Sequence, residues 1–275
     1  MKGVYHTAFL FLTSFLCVSG LVHGLDIGGI TADFEQGNQA HVHAENALRD
    51  ARKAGGAEKE TLIQKGRSEL EKALGCYQSC LQKAESAALH FNMGNTYFKL
   101  GQAGRAIFHY RRAQELDPGS EEVRANLAFV RSAAGLPEGE SSLYDRTLGR
   151  RSTGFWKWML AGGWWMGLGL LIFPRMYRAS GPSFPIIGVV ILLFSAVPLW
   201  AILQAGKAAS QAIILEADTP LLVSPSQGSA VSGYLQGGES VTLNPGKPQP
   251  KHLFVSTGSG EEGWVPRGSL GRIRD

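Results

Sequence analysis

Charge is scarce in this chain: Asp, Glu, Lys and Arg make up 18% of its 275 residues, and the balance at neutral pH is only +4. No dense Lys/Arg run is interleaved with stacking aromatics, so the footprint of a nucleic-acid-binding surface is missing. Cysteine is scarcer still, with three in all. Cys17 lies inside an N-terminal apolar run, which leaves Cys76 and Cys80, one helical turn apart on an expected helix. Their Cβ separation there, roughly 5–6 Å, exceeds the roughly 3.5–4.5 Å of a disulfide. Two thiols also need two more ligands to hold zinc, and His41 and His43 project from different sides of their helix. The chain has no nucleophile elbow, no phosphate loop, no HExxH and no evident pair of catalytic carboxylates. The expectation is therefore no enzyme, no catalytic residues, no metal and no cofactor.

What is present begins at Ala87. The stretch AALHFNMGNTYFKLGQAGRAIFHYRRAQELDPGS, residues 87–120, is 34 residues long. It sets His90, Met93-Gly94 and Tyr97 on one helix and Ala106, Tyr110 and Pro118 on a second. Length and spacing resemble a tetratricopeptide repeat, with His in place of Trp and Met in place of Leu. Small residues at Gly94, Ala106 and Ala113 allow close helix approach, and the proline ends the second helix. Ser120 then caps a third helix carrying Val123, Leu127 and Val130, which covers the open end of the stack.

One repeat cannot bury its own faces, so a partner is expected upstream. Ala73, Tyr77 and Cys80 lie 33 residues before Ala106, Tyr110 and Ala113, and Phe34 to Asn38 echoes Phe91 to Asn95. Between the two helices sit roughly two dozen extra residues beyond the repeat period. They predict lengthened helices with a loop at Gly55-Gly56.

Residues 1–24 read as a secretory signal peptide, with Lys2, an apolar run from Ala8 to Val22 and a Val22-His23-Gly24 cleavage region; the alternative is an uncleaved anchor, and either places the repeats outside the cytoplasm. From Trp158 to Pro174 and from Ala179 to Gly206 the chain carries no charge, and Arg175 and Arg178 lie in the loop between. Those lengths approach the ~20 residues of a bilayer crossing, and Trp156, Trp158, Trp164, Trp165 and Trp200 suit interfacial belts. Gly162, Gly163, Gly167 and Gly169 would permit a close helix contact. Basic residues before the first span argue for the opposite orientation to that set by the export signal; the export signal is taken as decisive, which places both soluble parts outside the cytoplasm.

Beyond Lys207 the pattern changes to short β-rich runs: 211–215, 220–223, 240–243, 252–257 and 263–266, with a closing Leu270 and Ile273. The Gly238-Glu239-x-Val241 turn and Gly263-Trp264-Val265 resemble a bacterial SH3 domain. Its surface candidates are Tyr234 and Trp264, with Trp264 read first as a core and strand anchor and second as a ligand platform. Pro245 to Pro248 has PxxP spacing, which a hairpin loop also explains.

The order of modules resembles the BatE-like tetratricopeptide component of bacterial aerotolerance (Bat) operons. That resemblance implies an inner-membrane envelope protein working with von Willebrand-A-type membrane partners. The expected architecture is multi-domain: signal peptide 1–24, all-α repeat domain 25–136, linker 137–154, transmembrane hairpin 155–206 and all-β SH3-like barrel 207–275. Its expected role is a non-enzymatic, membrane-anchored scaffold for protein partners. The alternative is an envelope sensor that binds cell wall through the SH3-like domain. The first helix of each repeat lines the groove, so the candidate binding residues are Asn38, His41, Phe91, Asn92, Asn95, Phe98, Glu122, Ala125 and Phe129. Asn38 and Asn92 match polar positions of the carboxylate clamp in chaperone-binding repeats, whereas its basic positions hold Phe34, Glu122 and Asn126. An extended peptide or a partner helix fits better than a C-terminal carboxylate.

Overall fold

The computed structural model describes residues 27–137, 153–176, 183–226, 228–244, 246 and 249–273. The expected signal peptide, Cys17, most of the 137–154 linker, Arg178 and the prolines at 245 and 248 lie outside them. The chain divides into two compact units, residues 1–85 and 86–275.

The first unit is an antiparallel pair, α1 (Ile27–Ala51) and α2 (Gly56–Lys83), joined at the expected glycines. Ala40, Ala44, Ala47 and Ala51 fall on one face of α1, and none is more than 5% exposed. Such small side chains bring the two backbones close. A Cβ on Gly66 would lie 2.8 Å from Leu48 Cγ, and one on Gly37 would lie 2.6 Å from the Tyr77 ring. At the other end Asp33 accepts hydrogen bonds from Lys83 Nζ at 2.9 Å and Ser79 Oγ at 3.1 Å. These bonds hold its carboxyl below the usual range.

The second unit opens with α3 (Ala87–Lys99), α4 (Ala103–Leu116) and α5 (Glu121–Ala133). Ser86 and Ser120 cap α3 and α5, their hydroxyls accepting from the Leu89 and Val123 amides. α3 and α5 end on Gly101 (φ 78°) and Gly135 (φ 68°) in the left-handed conformation that glycine adopts without strain. α4 stops before Pro118, as its sequence predicts.

Next come α6 (Thr153–Met176), α7 (Ser183–Phe194) and α8 (Ala196–Ala209). Residues 183–204, with mean hydropathy 2.7, form the one stretch among the described residues long and apolar enough to cross a membrane. α6 is helical where the first span was expected, but its tryptophans and glycines keep it below that mark. The second expected span is the stretch that passes, interrupted at a single residue. It breaks at Ser195 because Pro198 has no N–H to offer the Phe194 carbonyl. Of the α6 glycines expected to mediate contact, Gly167 does so: its Cβ would lie 2.7 Å from Leu192 and 3.1 Å from the Gly188 carbonyl. Gly162, Gly163 and Gly169 have open space there.

Seven antiparallel strands follow: β1 (Gln211–Ile214), β2 (Thr219–Leu222), β3 (Val231–Leu235), β4 (Ser240–Leu243), β5 (His252–Thr257), β6 (Glu262–Pro266) and β7 (Leu270–Arg272). Their order is β3-β2-β6-β5-β4-β1-β7, around a core that includes Ile214, Leu221, Val241, Val255 and Val265. β3 was not among the expected strands, because its Ser and Gly dilute the alternation. Only Ser210 separates α8 from β1, and its carbonyl accepts from the Leu243 amide at 2.7 Å.

α4 has two packed faces. Ala106, Tyr110 and Ala113, each at most 1% exposed, lie on its repeat side. The opposite side carries the β module. A Cβ on Gly104 would sit 2.5 Å from the Leu215 carbonyl oxygen, and one on Gly271 would sit 2.5 Å from Phe108. Ile107 lies against Gly238. Around this contact Arg105 pairs with Glu216 at 3.2 Å, and Arg112 donates to the Ile273 carbonyl at 2.5 Å. Gln236 donates to the Ala134 carbonyl at 2.6 Å.

Gly104→Leu should therefore push the β module off α4. The expected cost is about 1–3 kcal/mol, the usual range for overpacking. Amide hydrogen exchange should show lost protection at Leu215 and Gly238, with α3 protection retained.

Candidate functional site

The expected groove residues of the second unit come from two helices. Phe91, Asn92, Asn95 and Phe98 follow helical spacing along one side of α3 and are all half-buried. Glu122, Ala125 and Phe129 lie on α5 and are exposed. Phe98 and Phe129 meet edge to face with centroids 5.6 Å apart, and Phe129 remains 61% exposed.

The polar part of the site is built on Tyr110. Its phenol is buried beneath Gly94, where a Cβ would lie 2.8 Å from the ring, and it donates to Asn95 Oδ1 at 2.6 Å. Burial pushes the phenol up to about 12, so it stays protonated. Asn95 Oδ1 also accepts from Asn126 Nδ2 at 3.1 Å. With that oxygen engaged twice, the Asn95 Nδ2 and the Asn126 Oδ1 are left without a hydrogen bond among the described residues. One amide thus offers donors and its neighbour offers an acceptor. Together they match the carbonyl and N–H of a peptide backbone.

α1 repeats this geometry within the first unit. Tyr77 donates to Asn38 Oδ1 at 2.9 Å, and Phe34 and Phe91 each lie 5.9 Å from the corresponding tyrosine ring. Tyr77 and Asn38 are 39 positions apart in sequence and Tyr110 and Asn95 are 15 apart, which fixes the insertion at 24. The counterpart of Asn38 is therefore Asn95, in the register in which Phe34 to Asn38 echoes Phe91 to Asn95. His41 also lies on α1, its Nε2 3.7 Å from Glu45 Oε1. Cys80 is buried, its thiol directed to the Ile30 carbonyl at 3.5 Å, and burial pushes that thiol up from its ordinary value. Such a group is a poor nucleophile or metal ligand. No three His, Cys, Asp or Glu side chains converge among the described residues.

In the β module the two surface candidates separate. Tyr234 is 69% exposed. Trp264 is only 9% exposed and packs against Phe254 with centroids 5.2 Å apart, so it is a core anchor and not part of a surface.

Sequence reasoning missed His109. His90 occupies the position at which the repeat pattern has tryptophan, and its Nδ1 lies 2.9 Å from His109 Nδ1 in the buried contact between α3 and α4. Tyr97 stacks on His109 at 5.1 Å and Phe108 meets it edge to face at 5.0 Å. Burial lowers His109 to about 3, with His90, Arg105 and Arg112 adding repulsion. The available signal was His90 itself: a polar ring at a buried apolar position requires a partner.

Residues 87–120 match the family model of the tetratricopeptide repeat. This stretch is a tetratricopeptide repeat. No curated protein and no solved structure matches the chain.

The histidine pair makes the repeat acid-sensitive. Unfolded, His109 takes up its proton near 6.5, and folded only near 3. The unfolded chain thus binds more protons across that window, so this contribution to stability is complete above the window and is lost as pH falls through it. Denaturant midpoints measured from about pH 7 down to about pH 5 should fall by an amount equivalent to roughly 1–2 kcal/mol. The His90→Leu/His109→Leu double variant should flatten that slope.

Proposed function

We propose that this chain is a membrane-anchored, non-enzymatic adaptor that holds an extended segment of a partner protein between α3 and α5. One observation carries the reading: the Asn95–Asn126 amide pair, oriented by Tyr110, lies on the same helices as the Phe98–Phe129 ring pair. The amides address main-chain groups, and the rings offer a seat to one apolar side chain. Tetratricopeptide repeats generally bind protein partners, which agrees with this chemistry. Glu122 and Asn126 stand where a carboxylate clamp needs cations, so an internal segment suits the site better than a chain terminus.

The apolar stretch 183–204 supports anchoring. In this proposal α6 is the second crossing, with its tryptophans in the interfacial zone. Two crossings after an exported N-terminus would leave the repeats and the SH3-like β module on the outer side of a bacterial inner membrane. The resemblance to the Bat operon component makes von Willebrand-A-type membrane proteins the partners of choice.

Phe129→Glu tests the groove with little risk to folding, since the ring is 61% exposed. Co-purification with those partners in mild detergent should drop about tenfold or more, as expected for a central aromatic anchor. Asn126→Ala should give a smaller loss. Full recovery of partners with both variants would sink the groove.

A further inference from the structure

The two ends of the seven-stranded sheet are treated differently. At one end β7 is covered, with Phe108 against Gly271 and Arg112 bonded to the Ile273 carbonyl. At the other end is β3, and no strand among the described residues pairs with its outer side. Proteins usually blunt such an edge with lysine, proline or another charge. From Ala230 to Gln236 the chain reads AVSGYLQ and has none of these.

The register identifies the backbone groups that face outward. Tyr234 stands opposite Pro220, flanked by the pairs Thr219–Leu235 and Leu221–Gly233. Proline has no N–H, so Tyr234–Pro220 is the non-hydrogen-bonded pair of this antiparallel ladder. The N–H and carbonyl of Tyr234 therefore point away from β2 toward the open edge. Beside it, Gly233 is a glycine that packing does not demand. A Cβ there would meet nothing nearer than Glu261 Oε2 at 4.0 Å. An unforced glycine inside a strand leaves room for another backbone to approach closely. Glu261 brings a negative charge to that place; it is exposed and forms no ion pair among the described residues.

We propose that β3 takes an extended segment of a partner protein as an additional strand, with a lysine or arginine of that segment set against Glu261. This surface is separate from the α3/α5 groove and does not depend on it. Main-chain bonds to Tyr234 supply attachment, and the carboxylate supplies selection by charge.

The test is fluorescence anisotropy with the full chain in an uncharged detergent. The probes are a labelled short peptide of alternating valine and lysine, its valine–glutamate counterpart, and the lysine peptide N-methylated at alternate amides. The lysine peptide should bind about fivefold or more tighter than the glutamate peptide, the scale set by cross-strand charge pairs. Glu261→Lys should reverse that preference, and N-methylation should abolish binding. On the unaltered chain, peptide addition should protect the Tyr234 amide from hydrogen exchange, a readout that needs no variant to fold. Equal affinity for both peptides, or an unprotected Tyr234 amide at saturation, would overturn the proposal. So would protection of that amide that rises with protein concentration without peptide, since the occupant would then be a second copy.

Discussion

α4 is packed on both sides, and the arrangement of the second unit depends on this. A helix between two partners needs small residues on opposite faces, and α4 has them: Ala106 and Ala113 toward the repeat, Gly104 toward β1. At Gly104 helix and strand meet nearly backbone to backbone, which leaves no room for a side chain. Because α4 is the second helix of the repeat, this contact occupies the surface opposite α3. The groove chemistry is consequently confined to α3 and α5.

The polar contacts inside the repeat act as locators. A buried phenol without a partner is costly, and Tyr110 meets that requirement through Asn95. The same bond sets the direction of the Asn95 amide, so a structural need and a recognition geometry are met by one atom pair. His90 and His109 satisfy each other in a comparable way across the helix contact. Their bond specifies pairing where tryptophan would contribute only area, and its dependence on protonation state follows from burial, with Arg105 and Arg112 nearby.

Much of this organisation was legible in the sequence. The repeat period, the Gly94–Tyr110 contact, the Ser120 cap and the lengthened first hairpin follow from spacing and helix-ending residues, which act locally. What escaped were features set by distant partners. Asn95 was recognised as a surface residue, but its lock depends on Tyr110 and Asn126 together. Trp264 reads from the sequence as a core and strand anchor before a surface platform, and the sheet register turns it inward. β3 interrupts its strand formers Val231 and Tyr234 with Ser232 and Gly233 and is fixed by pairing with β2. The contact of α4 with the β module joins elements about a hundred positions apart, as in the Arg111–Gln211 bond, and nothing local announces it.

Ser210 is the entire joint between α8 and β1, and its carbonyl is already tied to Leu243. A connection this short has no slack. The end of α8 is placed directly at β1, and β1 is bonded to β4 and β7 and packed on α4. The joint thus ties the end of the apolar helix to the sheet within one residue, and the sheet is itself packed on the repeat.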